Sequence, residues 1–185
     1  MKGIEAFQEL LPLLKDEPVV HANGFICRES FSLKDREANF YMIGSMGLAS
    51  SIGLGVALCK PDRKVIVLDG DGNVLMALGT LAMIAAEAPK NLVHVVIDNE
   101  VYESTGRQRT LSQSVPLEQV AKSAGYQEAM RVDKKEDIKP AFEKLMNSDG
   151  PSFLLIKVEP CFDPNTGRVT HTPEEITERF MKALK

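Results

Sequence analysis

Asp71 stands between Gly70 and Gly72, and Asp98-Asn99 follows after residues 73–97; both groups end short β-branched runs. Carboxylate, amide and backbone carbonyl oxygens at two neighbouring chain reversals are the donors that hard Mg²⁺ or Ca²⁺ takes together with phosphate oxygens. Lys64-Val65-Ile66-Val67-Leu68 reads as a strand that stops at Asp69-Gly70-Asp71-Gly72, where glycines permit close approach of another group to the backbone. From Asn73 to Glu87 the residues Leu75, Met76, Leu78, Leu81, Ala82, Ile84 and Ala85 recur at helical spacing. A helix starting just past the glycines turns its first N–H groups toward an anion. Pro89-Lys90 breaks it, and Asn91 to Ile97 reads as a second buried strand that ends at Asp98-Asn99. Two parallel strands therefore bring Asp71, Asn99 and a following carbonyl to one sheet edge, a pattern suited to holding a diphosphate through a divalent metal.

The remaining elements supply the scaffold for that edge. Ile4, Phe7, Leu10, Leu11 and Leu14 form one face of a first helix, and Pro18 to Ala22 is a strand ending in Asn23-Gly24. Phe40-Tyr41-Met42 is a short extended piece leading into Gly44-Ser45-Met46-Gly47. A helix rich in small residues follows from Leu48 to Cys59, and Pro61-Asp62 turns the chain into the strand before Asp71. Residues 100–115 read as a loop. Pro116 opens a helix that Gly125 ends; a strand at Gln127 to Met130, a helix at Lys134 to Met146 and a strand at Ser152 to Val158 come next. Thr172-Pro173-Glu174-Glu175 is a capping box for a last helix, and Glu159 to His171 reads as loose. Alternating strands and helices predict one α/β domain over residues 1–185, a doubly wound, mostly parallel sheet flanked by helices.

Composition narrows the function classes. The 185 residues are 44% hydrophobic and 26% charged, with no Trp and a net charge of -4. No Lys/Arg cluster argues for nucleic acid. No apolar run approaches the roughly 20 residues of a membrane helix, and Met1-Lys2-Gly3-Ile4 reads as the start of a folded helix, so the expected location is cytoplasmic. Cys27, Cys59 and Cys161 are scattered, with no Cys-x-x-Cys pair for zinc or an iron–sulfur cluster, and read as buried or free thiols.

Gly70-Asp71-Gly72 followed by Asp98-Asn99 resembles the Gly-Asp-Gly…Asn-Asn signature of thiamine-diphosphate enzymes, and Gly44-Ser45-Met46-Gly47 lies where those families place a glycine, a large apolar residue and another glycine. More narrowly, Asn39 to Gly53, with Arg28-Glu29 before it and Ser104-Thr105-Gly106-Arg107-Gln108 after, is similar to the sulfopyruvate and phosphonopyruvate decarboxylases over most of residues 1–160. Asp98 replaces the commoner first Asn, and Val101 replaces a commoner small residue. The resemblance implies a thiamine-diphosphate-binding fold in which Asp71, Asn99 and the Val101 carbonyl hold Mg²⁺. Gly24, Ser45, Gly70, Gly72, Asn73, Ser104 and Thr105 would meet the cofactor, Met46 would wedge between its two rings, and the Gly44 carbonyl would accept from its 4′-amino group. Asp98 is expected to face away from the diphosphate or to hydrogen-bond the loop, because its charge would repel that group.

The activity so implied is decarboxylation of a 2-oxo acid with an anionic tail, the cofactor's ring taking up the electrons as carbon dioxide leaves. In the family the glutamate that activates the cofactor belongs to a separate pyrimidine-binding domain. The expectation is therefore a β-type subunit in a hetero-oligomer with an α-type subunit that supplies this glutamate, most like the sulfopyruvate decarboxylases of coenzyme M biosynthesis. Phosphonopyruvate decarboxylation, an acetolactate-synthase-like carboligation and a non-catalytic regulatory role are the alternatives.

The same residues have plainer readings. Asp71 alone could cap a helix in any nucleotide-binding fold, and Met46 alone would be core packing. Asn73, Ser104 and Thr105 could equally serve as helix-capping and loop hydrogen-bonding groups. Arg28, Arg107 and Arg109 are read as loop residues at strand carboxyl ends. There Arg28 and Arg107 could bind a sulfonate, phosphonate or carboxylate, or else form solvated salt bridges such as Arg28 with Glu29 or Asp35. His21 and His94 read as satisfied core residues and His171 as a surface residue before the cap.

Overall fold

The computed structural model describes residues 1–161, 163 and 165–185. In chain order its elements are α1 (Gly3–Leu10), β1 (Val19–His21), α2 (Phe25–Leu33), β2 (Asn39–Tyr41), α3 (Ala49–Cys59), β3 (Val65–Gly70), α4 (Asp71–Met76) and α5 (Gly79–Glu87). There follow β4 (Leu92–Asp98), β5 (Val101–Tyr102), β6 (Gln108–Arg109), α6 (Leu117–Ala124), β7 (Glu128–Val132), α7 (Ile138–Asn147), β8 (Ser152–Lys157) and α8 (Pro173–Ala183). Six strands form a sheet in the order β2-β1-β3-β4-β8-β7, and every pairing in it is parallel.

Alternation along the strands sorts the core into two layers. Ile66, Leu68, Val93, Val95, Leu154 and Ile156 pack with Phe7 and Leu10 of α1 and with Ile138 and Phe142 of α7. Val65, Val67, Val96, Phe153 and Leu155 point the other way, onto Leu54 of α3, Ile84 of α5, Leu117 of α6 and Phe180 of α8. Burial on both faces is why the strands read as continuous apolar runs. Helix α3 comes so close to β3 that a Cβ at Gly53 would lie 2.2 Å from Val67 Cγ2. Gly53→Ala is expected to cost about 2 kcal/mol through overpacking, lowering the melting temperature by about 4 to 8 °C; an unshifted melt would contradict this packing.

Three elements differ from the sequence reading. The single helix expected from Asn73 to Glu87 is two helices, because Ala77 leaves helical geometry at φ -130, ψ 43. The Gly47 backbone packs against Met76 and Ala77 at that break, and Gly79 weakens helix propensity just beyond it. Helix α2 had no apolar stripe to announce it, since its buried residues are Cys27, Glu29 and Ser30. The loop expected from Glu100 to Val115 contains the antiparallel β5–β6 hairpin and a 3₁₀ turn at Leu111–Gln113. Among the described residues no helix is long and apolar enough to cross a membrane, and Cys27, Cys59 and Cys161 are free thiols. Phe162 and Pro164, within the stretch expected to be loose, lie outside the described residues.

Candidate functional site: a cleft at the strand carboxyl ends

The chain leaves β1 toward β2 on one side and later adds β3 on the other, so the strand order reverses between β1 and β3. Open α/β sheets bind ligands at the carboxyl edge of such a reversal. A cleft of about 110 Å³ lies there, lined by Gly24 after β1, Gly70 to Asn73 after β3, and Asn99 and Val101 after β4. Met46, Ser104 and Thr105 complete the set of expected site residues that the fold brings together. Gly44, Ser45, Arg28 and Arg107 are not among the lining residues.

Asp71 opens α4 and is almost fully buried. Its Oδ2 accepts from Thr110 Oγ1 at 2.5 Å and from Ser112 Oγ at 3.1 Å. Burial pushes its carboxyl up to about 6, and the charge of Asp98 adds to this, while the two hydroxyls pull the other way. Asp98 bonds the loop as expected: Oδ1 accepts from Glu100 N at 3.1 Å and lies 2.9 Å from Ser112 Oγ, whose one proton it shares with Asp71. Its Oδ2 takes Lys157 Nζ at 2.9 Å, and the same ammonium is bonded to Glu100 Oε1. Behind the motif, Asp69 Oδ1 accepts from Gly70 N at 3.0 Å. Asp69 Oδ2 lies 3.2 Å from His94 Nε2, whose other ring nitrogen is 3.3 Å from the Tyr126 hydroxyl.

Asn99 turns the chain out of β4. Its Oδ1 accepts from Val101 N at 3.1 Å and its Nδ2 donates to Glu103 Oε2 at 3.2 Å. Glu103 also takes Arg107 Nε at 2.6 Å, so that guanidinium is committed to an ion pair. Arg28 lies in α2 rather than in a loop, 5.1 Å over the Phe25 ring; the expected pairs with Glu29 or Asp35 are not formed. Arg109 is an exposed residue of β6. The helix that begins at Asp71 and the loop carrying Met46 are joined by Gly47 N, which donates to Asn73 Oδ1 at 3.1 Å. A Cβ at Gly72 would sit 2.5 Å from Tyr102 Cε1 and 3.2 Å from Met46 Cε, so only glycine fits under these two side chains.

Several groups of the site had no sequence signal. Asn23 lines the cleft, and its buried Oδ1 has no hydrogen-bond partner among the described residues. Glu29 also lines it, only 5% exposed, and burial followed by the charge of Glu103 pushes its carboxyl up to about 7. Ser112, Thr110 and Lys157 act from behind Asp71 and Asp98. His21 and His94 are fully buried core groups: His21 lies 2.8 Å from Ser30 Oγ and 3.3 Å from Phe40 O, and burial lowers it to about 3. His171 pairs with Asp35 at 2.9 Å.

The donor set fits an oxygen-bound cation with a diphosphate. Among the described residues no three His, Cys, Asp or Glu side chains gather around a metal position. A cation here would draw on one carboxylate, an amide and a carbonyl, leaving coordination positions for phosphate oxygens. The orphaned Asn23 oxygen and the side-chain-free approach at Gly72 agree with a cleft shaped around something bound.

Comparison with known proteins gives the same answer. The chain is 45% identical over 178 residues to a phosphonopyruvate decarboxylase of Streptomyces viridochromogenes, aligning over 96% of itself and 45% of that protein; it thus spans about half the length of that relative. It is 42% identical over 185 residues to a sulfopyruvate decarboxylase subunit beta of Methanothermobacter thermautotrophicus, aligning over 96% of that subunit. The crystal structure of benzoylformate decarboxylase from Polynucleobacter necessarius shares the fold at a TM-score of 0.78 and 16% identity, over 89% of this chain and 34% of that one. Residues 27–156 match the family described as thiamine pyrophosphate enzyme, C-terminal TPP binding domain, and the chain belongs to this family.

Proposed function

We propose that this chain is the diphosphate-binding, β-type subunit of a thiamine-diphosphate-dependent 2-oxo acid decarboxylase. The substrate is sulfopyruvate, converted to sulfoacetaldehyde and carbon dioxide. The carrying observation is that the chain aligns end to end with a sulfopyruvate decarboxylase subunit beta while its cleft gathers Asp71, Asn99 and Val101. In this reading Asp71, Asn99 and the Val101 carbonyl hold Mg²⁺. Gly24, Gly72, Asn73, Ser104 and Thr105 face the diphosphate, and Met46 supports the rings. When bound, thiamine diphosphate supplies the electron sink for decarboxylation. The chain's own residues bind and orient the cofactor, and Arg28 is a candidate for the substrate's anionic tail.

A partner α-type subunit carrying the pyrimidine-binding domain and its activating glutamate completes the site. Exposed apolar side chains next to the cleft support this. Ile43 and Leu48 flank the loop carrying Met46, and Met76 and Leu78 lie on either side of the break at Ala77 between α4 and α5, with Ile43 58% and Met76 61% exposed. Contiguous exposed apolar residues of this kind mark interaction surfaces. Phosphonopyruvate is the second reading, favoured by the 45% identity to its decarboxylase.

The test is calorimetric titration of thiamine diphosphate with Mg²⁺ into this chain alone and into its complex with the partner, followed by turnover of sulfopyruvate, phosphonopyruvate and pyruvate. Tight binding in the complex and preferential turnover of sulfopyruvate are expected. Faster turnover of phosphonopyruvate would reassign the substrate, cofactor binding without turnover would leave a regulatory subunit, and no binding at all would remove the cofactor reading.

A further inference from the structure

Parallel strands β4 and β8 place Asp98 directly opposite Lys157. The lysine stem runs along the layer that holds Phe153 and Leu155, and its ammonium ends between two carboxylates: Asp98 Oδ2 at 2.9 Å, and Glu100 Oε1. Those two acids flank Asn99. One cation from a different strand therefore grips the loop on both sides of the amide that the proposed function makes a metal ligand. Asp98 and Lys157 side chains are 3% and 16% exposed, so the pair is poorly screened by solvent.

The connection continues to the metal-binding carboxylate. Asp98 Oδ1 accepts from Ser112 Oγ, and that hydroxyl also lies 3.1 Å from Asp71 Oδ2. Without a counterion, the Asp98 carboxylate would add buried negative charge next to Asp71 and to the diphosphate. Such a charge opposes anion binding and competes for Ser112. The Val158 N–H, bonded to Asp98 O at 2.9 Å, fixes the backbone at the same point.

We infer that Lys157 is a positioning residue of the metal–diphosphate site: it neutralises Asp98, fastens the loop that presents Asn99, and through Ser112 sets the orientation of Asp71. This rests on the cofactor reading above. It also accounts for how this chain carries Asp at position 98, where the wider signature has Asn: the charge of Asp98 is matched within the sheet, away from the ligand.

The experiment is equilibrium binding of thiamine diphosphate with Mg²⁺ to the complex with the partner subunit, for wild type, Lys157→Met, Lys157→Arg and the double variant Asp98→Asn with Lys157→Met. Thermal melts in EDTA establish that each is folded. Residues that support a metal ligand from behind contribute about 10- to 100-fold to affinity, so Lys157→Met is expected to weaken binding at least about tenfold. Lys157→Arg should return most of it, and removing both charges together should restore affinity to within about threefold of wild type. A structural role alone would lower the melting temperature of all three variants without this pattern in affinity. Lys157→Met binding as tightly as wild type, or a double variant as weak as Lys157→Met, would overturn the inference. Where Lys157→Met does not fold, Lys157→Gln removes only the charge and carries the same expectation. A wild-type complex that binds no cofactor defeats the functional reading itself, which is a separate outcome.

Discussion

Asp71→Asn is expected to make the metal-free chain more stable at pH 8 while reducing Mg²⁺-dependent thiamine diphosphate binding by more than about 100-fold, beyond what loss of a group merely supporting a ligand costs. The two effects have one origin. Burial, with Asp98 adding to it, raises the Asp71 carboxyl from 3.8 to about 6, so between those values the folded chain holds a proton that the unfolded chain has lost. Stability therefore falls as pH rises through that window, and above pH 6 the charged group carries its full cost, about 3 kcal/mol. Asparagine keeps the shape and an oxygen for the Thr110 and Ser112 hydroxyls but not the charge, and the expected gain at pH 8 is about 2 kcal/mol. In the proposed site a divalent cation would reverse the account, because it would bind the charged carboxylate and draw the proton off. Melts in EDTA at pH 5 and pH 8, with calorimetry on the complex, check both halves. Equal melting shifts at the two pH values, or undiminished cofactor binding, would refute the argument.

Asp71, Asn99 and the glycines around them were legible in the sequence because each lies at a strand's end, and a strand's end is a local feature. β3 and β4 announce themselves as apolar runs bounded by Asp and Gly, so the residues that follow must share an edge whatever the rest of the chain does. The groups that tune this edge belong to tertiary structure. Lys157 meets Asp98 only because β8 inserts beside β4 ahead of β7, an order that chain sequence does not disclose. Glu29 went unread because α2 buries a carboxyl, a hydroxyl and a thiol rather than an apolar stripe. The same gap made Arg28 look like a loop residue. Tertiary packing also overruled helical periodicity at Ala77, where the Met46 loop presses on the end of α4. The fold class followed from alternation of elements, whereas the electrostatic design of the cleft followed from register.

Glu29→Gln is expected to raise the stability of the metal-free chain at pH 8 by about 2 to 3 kcal/mol, or about 5 to 10 °C in melting temperature, and to change the shape of its pH profile. Glu29 faces the cleft with no hydrogen-bond donor among the described residues. Glu103, the like charge near it, is already engaged by Arg107 and Asn99. Burial and that charge raise Glu29 from 4.5 to about 7, so the folded state retains its proton through that interval and loses stability as pH rises across it. His21 works in the opposite sense. Burial lowers it from 6.5 to about 3, so in that interval the unfolded state binds the extra proton and stability rises with pH. From pH 4.5 to 6.5 the two contributions have opposite slopes of one proton each and cancel. Removing Glu29 takes away its one-proton slope and leaves those of His21 and Asp71 unchanged, so the slope in that window should become more positive than that of wild type by about 1.4 kcal/mol per pH unit. Denaturant titrations in EDTA at pH 5, 6 and 8 measure it directly. If the variant and wild-type profiles run parallel, Glu29 does not hold its proton in the fold. If they diverge as expected, the cleft proposed to receive the diphosphate carries a carboxyl whose charge is withheld until the pH passes neutrality.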